Sequence, residues 1–434
     1  MTPPIVLRSG RVLDPTTGRD EVADVVIEDG RISRVGANAG RELSARENVR
    51  TVPAEGRWIC PGFIDLHVHL REPGQEYKED IASGLSAAAV GGFAAVCPMP
   101  NTRPVNDNRA ITEMMLARAE EHAGTRLLPF GAVTKGQRGA ELSEMADLRD
   151  AGAIGVSDDG LCVMNAAVMR RAMEYARTFD LLVSQHCEDH HLTEGAQMHE
   201  GARSTQLGLR GWPRAAEDVI VARDLILAEL TGARYHVAHI SSLGAVRLIR
   251  EAKSRGLRVS AEVTPHHLLL TDEALLSYDT YCKVNPPIRE EADREALLAA
   301  LADGTIDCIA TDHAPHSDLE KDCELDAAAP GINGLETAIA SMLGLVRDGT
   351  LTPLRFVETL SSAPARLVPD FQGGSLREGR PADITVIDPE HTWILRKEEL
   401  RSKSHNTPWL DREFTGRPTM TLVDGSVIYE LERT

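Results

Sequence analysis

Between residues 63 and 313, short apolar runs of β character alternate with amphipathic helical stretches. The runs are FIDLHVH (63–69), FAAVCPM (93–99), RLLPFGAV (126–133), AIGVSDD (153–159), LLVSQHC (181–187), YHVAHI (235–240), RVSAEVTPHH (258–267) and IDCIATDH (306–313). Helical spacing is clear in 214–230 and 242–256. A β–α alternation implies parallel strands, because each helix returns the chain to the end where the last strand began. Eight units in about 250 residues match a (β/α)8 TIM-type barrel better than an open doubly wound sheet. The flanks differ: residues 4–36 and the segments PADITVIDP, HTWILR and MTLVDGSVIYE are β-rich and broken by Gly, Pro and Asp. The expected organisation is therefore α/β, with a barrel over 59–368. Residues 1–58 and 369–434 are expected to combine into one small composite β-domain.

Hydrophobic residues make up 42% of the 434 and charged residues 26%, which excludes disordered and coiled-coil classes. Lys plus Arg number 47 against 66 Asp plus Glu, a net charge of −19 that repels phosphate backbones and anionic lipid surfaces. Neither nucleic acid nor membrane is an expected partner. The seven cysteines are scattered and form no CxxC pair, which suits a reducing compartment and buried thiols. With no cationic, cleavable start and no apolar stretch of about 18 residues, a cytoplasmic location is expected.

The chemistry concentrates at the ends of the runs. Asp65, His67 and His69 alternate along the first and share one face. Asp158 and Asp159 close the fourth, His186 the fifth, His239 the sixth and Asp312 the eighth. In a barrel these ends converge on one rim. Four imidazoles and two carboxylates exceed the ligand set of one tetrahedral zinc, which points to two metal ions sharing a carboxylate. Imidazole-rich ligation favours zinc, two Zn2+ per chain.

The runs HVHLREPG (67–74), PNTRP (100–104), SDDG (157–160), KVNPPIR (283–289) and TDHAPH (311–316) resemble dihydroorotases of the amidohydrolase superfamily. The resemblance implies His67, His69 and Asp312 on one metal and His186 and His239 on the other. Strand neighbours face opposite ways, so only one of Asp158 and Asp159 can easily reach the metals, and the resemblance implies Asp159 as the bridge. It implies reversible cyclisation of N-carbamoyl-L-aspartate to (S)-dihydroorotate, a step of pyrimidine synthesis. It further implies metal-activated hydroxide as the nucleophile, with Asp312 as general base and then acid. Hydantoinase-like relatives bridge their metals with a carboxylated lysine, and GAIGVSDDG offers none.

The same resemblance implies substrate contacts from His69, Arg71, Asn101, Asn285, His316 and the backbone of Pro330 and Gly331. Arg71 presents a planar fork to the substrate carboxylate. Residues 318–334 read as a mobile loop over the site. His266 and His267 read as groups behind the ligands or as packing, His190, His191, His313 and His405 as ordinary, and Cys187 as a buried thiol. Alternatives are a hydantoinase or dihydropyrimidinase, or a catalytically idle scaffold for aspartate carbamoyltransferase. The expected partners are the small-molecule substrate, a second copy in a homodimer, and aspartate carbamoyltransferase.

Overall fold

The computed structural model, which describes residues 3–45, 48–122 and 124–432, is an α/β structure whose middle strands all run parallel. Three of them, β6 (Phe63–Val68), β7 (Phe93–Pro98) and β8 (Arg126–Leu127), form one sheet. The second is ordered β16 (Cys308–Ile309), β15 (Val259–Val263), β14 (Arg234–Val237), β11 (Leu182–Gln185), β10 (Gly155–Ser157), β9 (Phe130–Gly131). Met198–His199 and Gly211–Trp212 pair separately as β12 and β13.

The third apolar run is thus cut in two, β8 pairing β7 and β9 pairing β10. Pro129 stands in the gap, and proline has no N–H to give a ladder. Hydrogen bonds still span it: Leu128 N–H donates to the Val96 carbonyl and Ile154 N–H to that of Pro129, each at 2.9 Å. At the other edges, Val68 bridges His313 in parallel and His69 N–H donates to the His313 carbonyl at 2.8 Å. The seventh run also differs from its reading. Its strand stops at Val263, where Thr264 caps a short helix, Pro265–Leu269, that carries both histidines.

The helices follow the expected period. Ala215–Thr231 buries Ala216, Ile220, Val221, Leu225 and Ala228 against the strands and the helices Ala166–Thr178 and Leu243–Ser254. Each large side chain so buried contributes about 1.5–3 kcal/mol. Gly232, with φ of 69°, ends that helix in the left-handed conformation. No helix among the described residues is long and apolar enough to cross a membrane.

The flanking segments build a mostly antiparallel sheet. Its order is β19 (Ser426–Glu430), β18 (Glu413–Val423), β17 (Ile384–Ile394), β5 (Trp58–Pro61), β1 (Ile5–Asp14), β2 (Arg19–Glu28), β3 (Arg31–Gly36), with β4 (Arg50–Pro53) beside β1. The antiparallel pairing of β17 with β5 joins the two ends of the chain. Leu7, Val12, Val25, Ile59, Ile384, Val386 and Leu422 form a separate apolar core there.

All seven cysteines are free; six are buried and Cys323 is half-buried. Burial pushes the Cys162 and Cys282 thiols up to about 12, which suppresses the reactive thiolate. A thiol reagent should therefore modify about one cysteine per native chain, Cys323, and all seven after denaturation. Mass mapping of the adducts checks this; rapid native labelling of Cys187 or Cys162 would contradict it.

Candidate active site

Strand ends bring the ligand-type side chains together. His67 lies on β6 and His69 just beyond it, Asp159 and His239 two residues past β10 and β14, His186 one past β11, and Asp312 three past β16. The Asp159 carboxylate sits among all four rings. Its Oδ1 is 3.3 Å from His67 Nε2, 3.5 Å from His239 Nε2 and 3.9 Å from His186 Nδ1, while Oδ2 is 3.5 Å from His69 Nε2. Asp312 Oδ1 lies 3.0 Å from His69 Nε2 and 3.6 Å from His67 Nε2. His186 Nδ1 and His239 Nε2 are 3.0 Å apart. Asp158 points away and takes hydrogen bonds from the Thr134 N–H, at 3.0 Å, and hydroxyl. Asp65 also stays apart, accepting from the N–H groups of His67 at 3.1 Å and Thr311 at 3.0 Å.

Three of the rings are held from behind. His67 Nδ1–H donates to Glu262 Oε1 at 2.7 Å, His69 Nδ1–H to Asn101 Oδ1 at 2.9 Å, and His186 Nε2–H to Glu188 Oε2 at 2.9 Å. Each bond selects a tautomer: in His67 and His69 it turns the Nε2 lone pair toward Asp159 and Asp312, and in His186 it turns the Nδ1 lone pair toward His239 Nε2. A lone pair facing carboxylate oxygens is repulsive unless a cation lies between. Moreover, His67 Nε2 and Asp159 Oδ1 are fully buried and have no hydrogen-bond partner among the described residues. Two groups suit such a cation, His67–Asp159–His239 and His67–His69–Asp312, their ligand atoms lying within 4.8 Å of one another. The donor set fits divalent ions.

The electrostatics agree. Burial would raise the Asp159 and Asp312 carboxyls, but the surrounding histidines hold both well below the usual carboxylate range. Burial would lower His67, yet Asp159 and Glu262 raise it well above the ordinary imidazole value, so the place between its Nε2 and the carboxylates favours a positive charge, a proton or a metal ion; burial keeps His69 low. Arg71, His239 and Asp312 have positive φ, 61°, 29° and 47°, and such non-glycine strain persists where tertiary contacts enforce it.

Beside this centre, Arg71 Nε donates to the Pro315 carbonyl at 3.1 Å, and Nη2 lies 3.4 Å from His316 Nε2. His316 Nε2–H donates to the Pro330 carbonyl at 2.9 Å, while Lys78 Nζ, 3.4 Å from Nδ1, donates to that nitrogen. Burial, then Arg71 and Lys78, hold His316 neutral. Asn285 stands with His186: its Nδ2 donates to Glu188 Oε2 at 3.0 Å, and its Oδ1 is buried and unpaired. Gly331 is committed to the protein, its N–H to the Lys283 carbonyl at 2.8 Å and its carbonyl to Lys321 Nζ and Asn406 Nδ2, each at 3.0 Å. At φ of 151° a Cβ there would meet the Ala314 carbonyl at 2.7 Å. Lys321, 1% exposed, also donates to the Ala329 carbonyl, and Leu325 and Ala328 are buried. Much of 318–334 is therefore packed rather than free.

A family model described as dihydro-orotase-like matches residues 56–244. The dihydroorotase of Anaeromyxobacter dehalogenans (strain 2CP-1) is 52% identical, over 100% of this chain and 99% of the relative. The chain belongs to the dihydroorotase family. The dihydroorotase of Syntrophobacter fumaroxidans is 51% identical over 98% of this chain and 96% of its own length. Among solved structures, the L-hydantoinase (dihydropyrimidinase) of Arthrobacter aurescens superposes with a TM-score of 0.89 at 25% identity, covering 99% of this chain and 97% of that one. The dihydropyrimidinase of Brevibacillus agri NCHU1002 shares the fold, with a TM-score of 0.81 at 21% identity over 98% and 95% of the two chains.

Sequence reading of this dihydroorotase-family chain passed over Glu188, Glu262 and Lys78. The signal for Glu262 was available: a carboxylate between Ala261 and Val263 in a β-type run is unusual in a core unless paired. His190 and His313 pair with Glu188 and Glu79, at 3.3 Å each. His267 bridges the Thr264 hydroxyl and the Pro286 carbonyl. His266 is buried beside it, with Nε2 unpaired.

Proposed function

We propose that this cyclic amidohydrolase interconverts (S)-dihydroorotate and N-carbamoyl-L-aspartate at a centre of two divalent ions, zinc by ligand type. His67, His69 and Asp312 would hold one ion and His186 and His239 the other, with Asp159 shared. The observation that carries the reading is the pair of imidazole lone pairs, His67 and His69 Nε2, turned on carboxylates at 3.0–3.6 Å. Bound ions would supply Lewis acidity toward the ring carbonyl and activate water. Asp312, held ionised, accepts the proton from the attacking water and passes it to the departing ring nitrogen. Asn101 keeps His69 in register. Arg71 receives the substrate carboxylate, which a simple hydantoin or dihydropyrimidine lacks, joined by His316 when its Nε2–H turns from the Pro330 carbonyl to the substrate, and Asn285 Oδ1 receives a substrate N–H. The Pro330 carbonyl orients His316, and Gly331 contributes by shaping the wall.

The same reading takes β6, β7, β8 with β9, β10, β11, β14, β15 and β16 as one closed (β/α)8 ring spanning 59–368. The hydrogen bonds at Leu128, Ile154 and His69 support this closure. Residues 1–58 and 369–434 then form the appended β-domain, which β5 extends to Pro61 through its pairing with β17.

Two peaks of anomalous density among the six ligands, zinc content near two per chain, and dihydroorotate turnover that chelation removes and zinc restores are the expected results. Activity undiminished by complete chelation, or hydantoin turned over faster than dihydroorotate, would overturn the reading.

A further inference from the structure

Glu262 is fully buried in the middle of β15, and among the described residues it pairs with no lysine or arginine. A bare carboxylate there is costly, so something must compensate it. Its neighbours are imidazoles and one main-chain donor. Oε1 accepts from His67 Nδ1–H at 2.7 Å and from the His239 N–H at 3.3 Å; Oε2 lies 3.1 Å from His236 Nε2. His236, 1% exposed, is fixed from its other side by the Ser260 hydroxyl, 2.8 Å from Nδ1.

One oxygen therefore ties the ring of a β6 residue to the backbone of a residue following β14. These are two histidines that the preceding reading assigns to different ions. The His239 backbone, at φ of 29°, is unfavourable by itself and needs an external hold. The His67 bond determines which nitrogen keeps its lone pair, and a carboxylate acceptor makes that nitrogen a stronger donor toward a cation. Removing the negative charge weakens this polarisation; removing the acceptor as well frees the ring to rotate or change tautomer.

We infer that Glu262 is a positioning residue for the metal centre, locking the His67 tautomer and the spacing of His67 from His239, and so setting the affinity for divalent ions. The inference rests on the metal reading above. Its test is zinc affinity of the full chain, measured by competition with a chromophoric chelator for wild type, Glu262→Gln and Glu262→Met. Gln keeps an acceptor and the shape but loses the charge; Met loses both. The expected order is a loss of about tenfold for Gln and about a hundredfold for Met, the range usual for groups that orient metal-bound histidines. At saturating zinc, KM for dihydroorotate should change less than about twofold, a pattern that a general loss of structure would not give. Thermal melting of the zinc-free proteins monitors folding, and the Gln variant alone decides the matter if Met does not fold. Wild-type zinc affinity retained by a folded Gln variant would overturn the inference. Absence of stoichiometric zinc in wild type would instead overturn the metal reading itself, and the inference with it.

Discussion

Replacing Asp312 by Asn is expected to lower kcat by about 10²- to 10⁴-fold, the usual contribution of a positioned general acid–base group. The amide keeps the size and one acceptor oxygen facing His69, now at 3.0 Å, but cannot take a proton from water near neutrality. Carboxylate chemistry is available at this position because the neighbouring histidines outweigh burial and keep the group ionised. The loss should fall on kcat with KM little changed, since Arg71 and His316 are untouched. Steady-state kinetics together with zinc content separate this from simple ligand loss. Two ions retained with near-normal turnover would remove Asp312 from the proton path and leave it a ligand only.

The second large effect concerns Arg71. Arg71→Met should raise KM for dihydroorotate by about a hundredfold, close to 3 kcal/mol, the scale for deleting one partner of a shielded charge pair. Burial lowers the Arg71 guanidinium to about 10, so it remains a cation at neutral pH. Nε and Nη2 are turned to Pro315 and His316, and Nη1 has no protein partner among the described residues. Arg71→Lys should recover only part of the loss, because an ammonium lacks the fork. Weak turnover of an uncharged ring such as dihydrouracil should hardly change. An unchanged KM for dihydroorotate would mean that the carboxylate is bound elsewhere.

Much of the architecture could be read from residues alone, for a physical reason. Whether a run alternates with period 2 or recurs with period 3.6 depends on which side chains enter the core, and that is written locally. The helices at 215–231 and 243–254, the strands that carry or lead into His67, His186 and His239, and the β-rich flanks were legible in this way. The break at Pro129 was less so, since proline's effect on a ladder depends on which neighbour needs its missing N–H.

The candidate site divides along the same line. Imidazoles and carboxylates at strand ends are rare enough to stand out, so His67, His69, His186, His239, Asp159 and Asp312 could be named from the chain. What each ring nitrogen faces could not. The choice between Asp158 and Asp159 turned on backbone direction after β10, with Thr134 drawing one carboxylate aside. Glu262 acts on His67 across 195 residues of sequence, and the Gly331 N–H is spent on Lys283, 48 positions away. Local pattern records how each segment divides between water and core. Tautomers, orphaned lone pairs and occupied backbone groups arise only when distant segments meet, and the three-dimensional packing alone decides them.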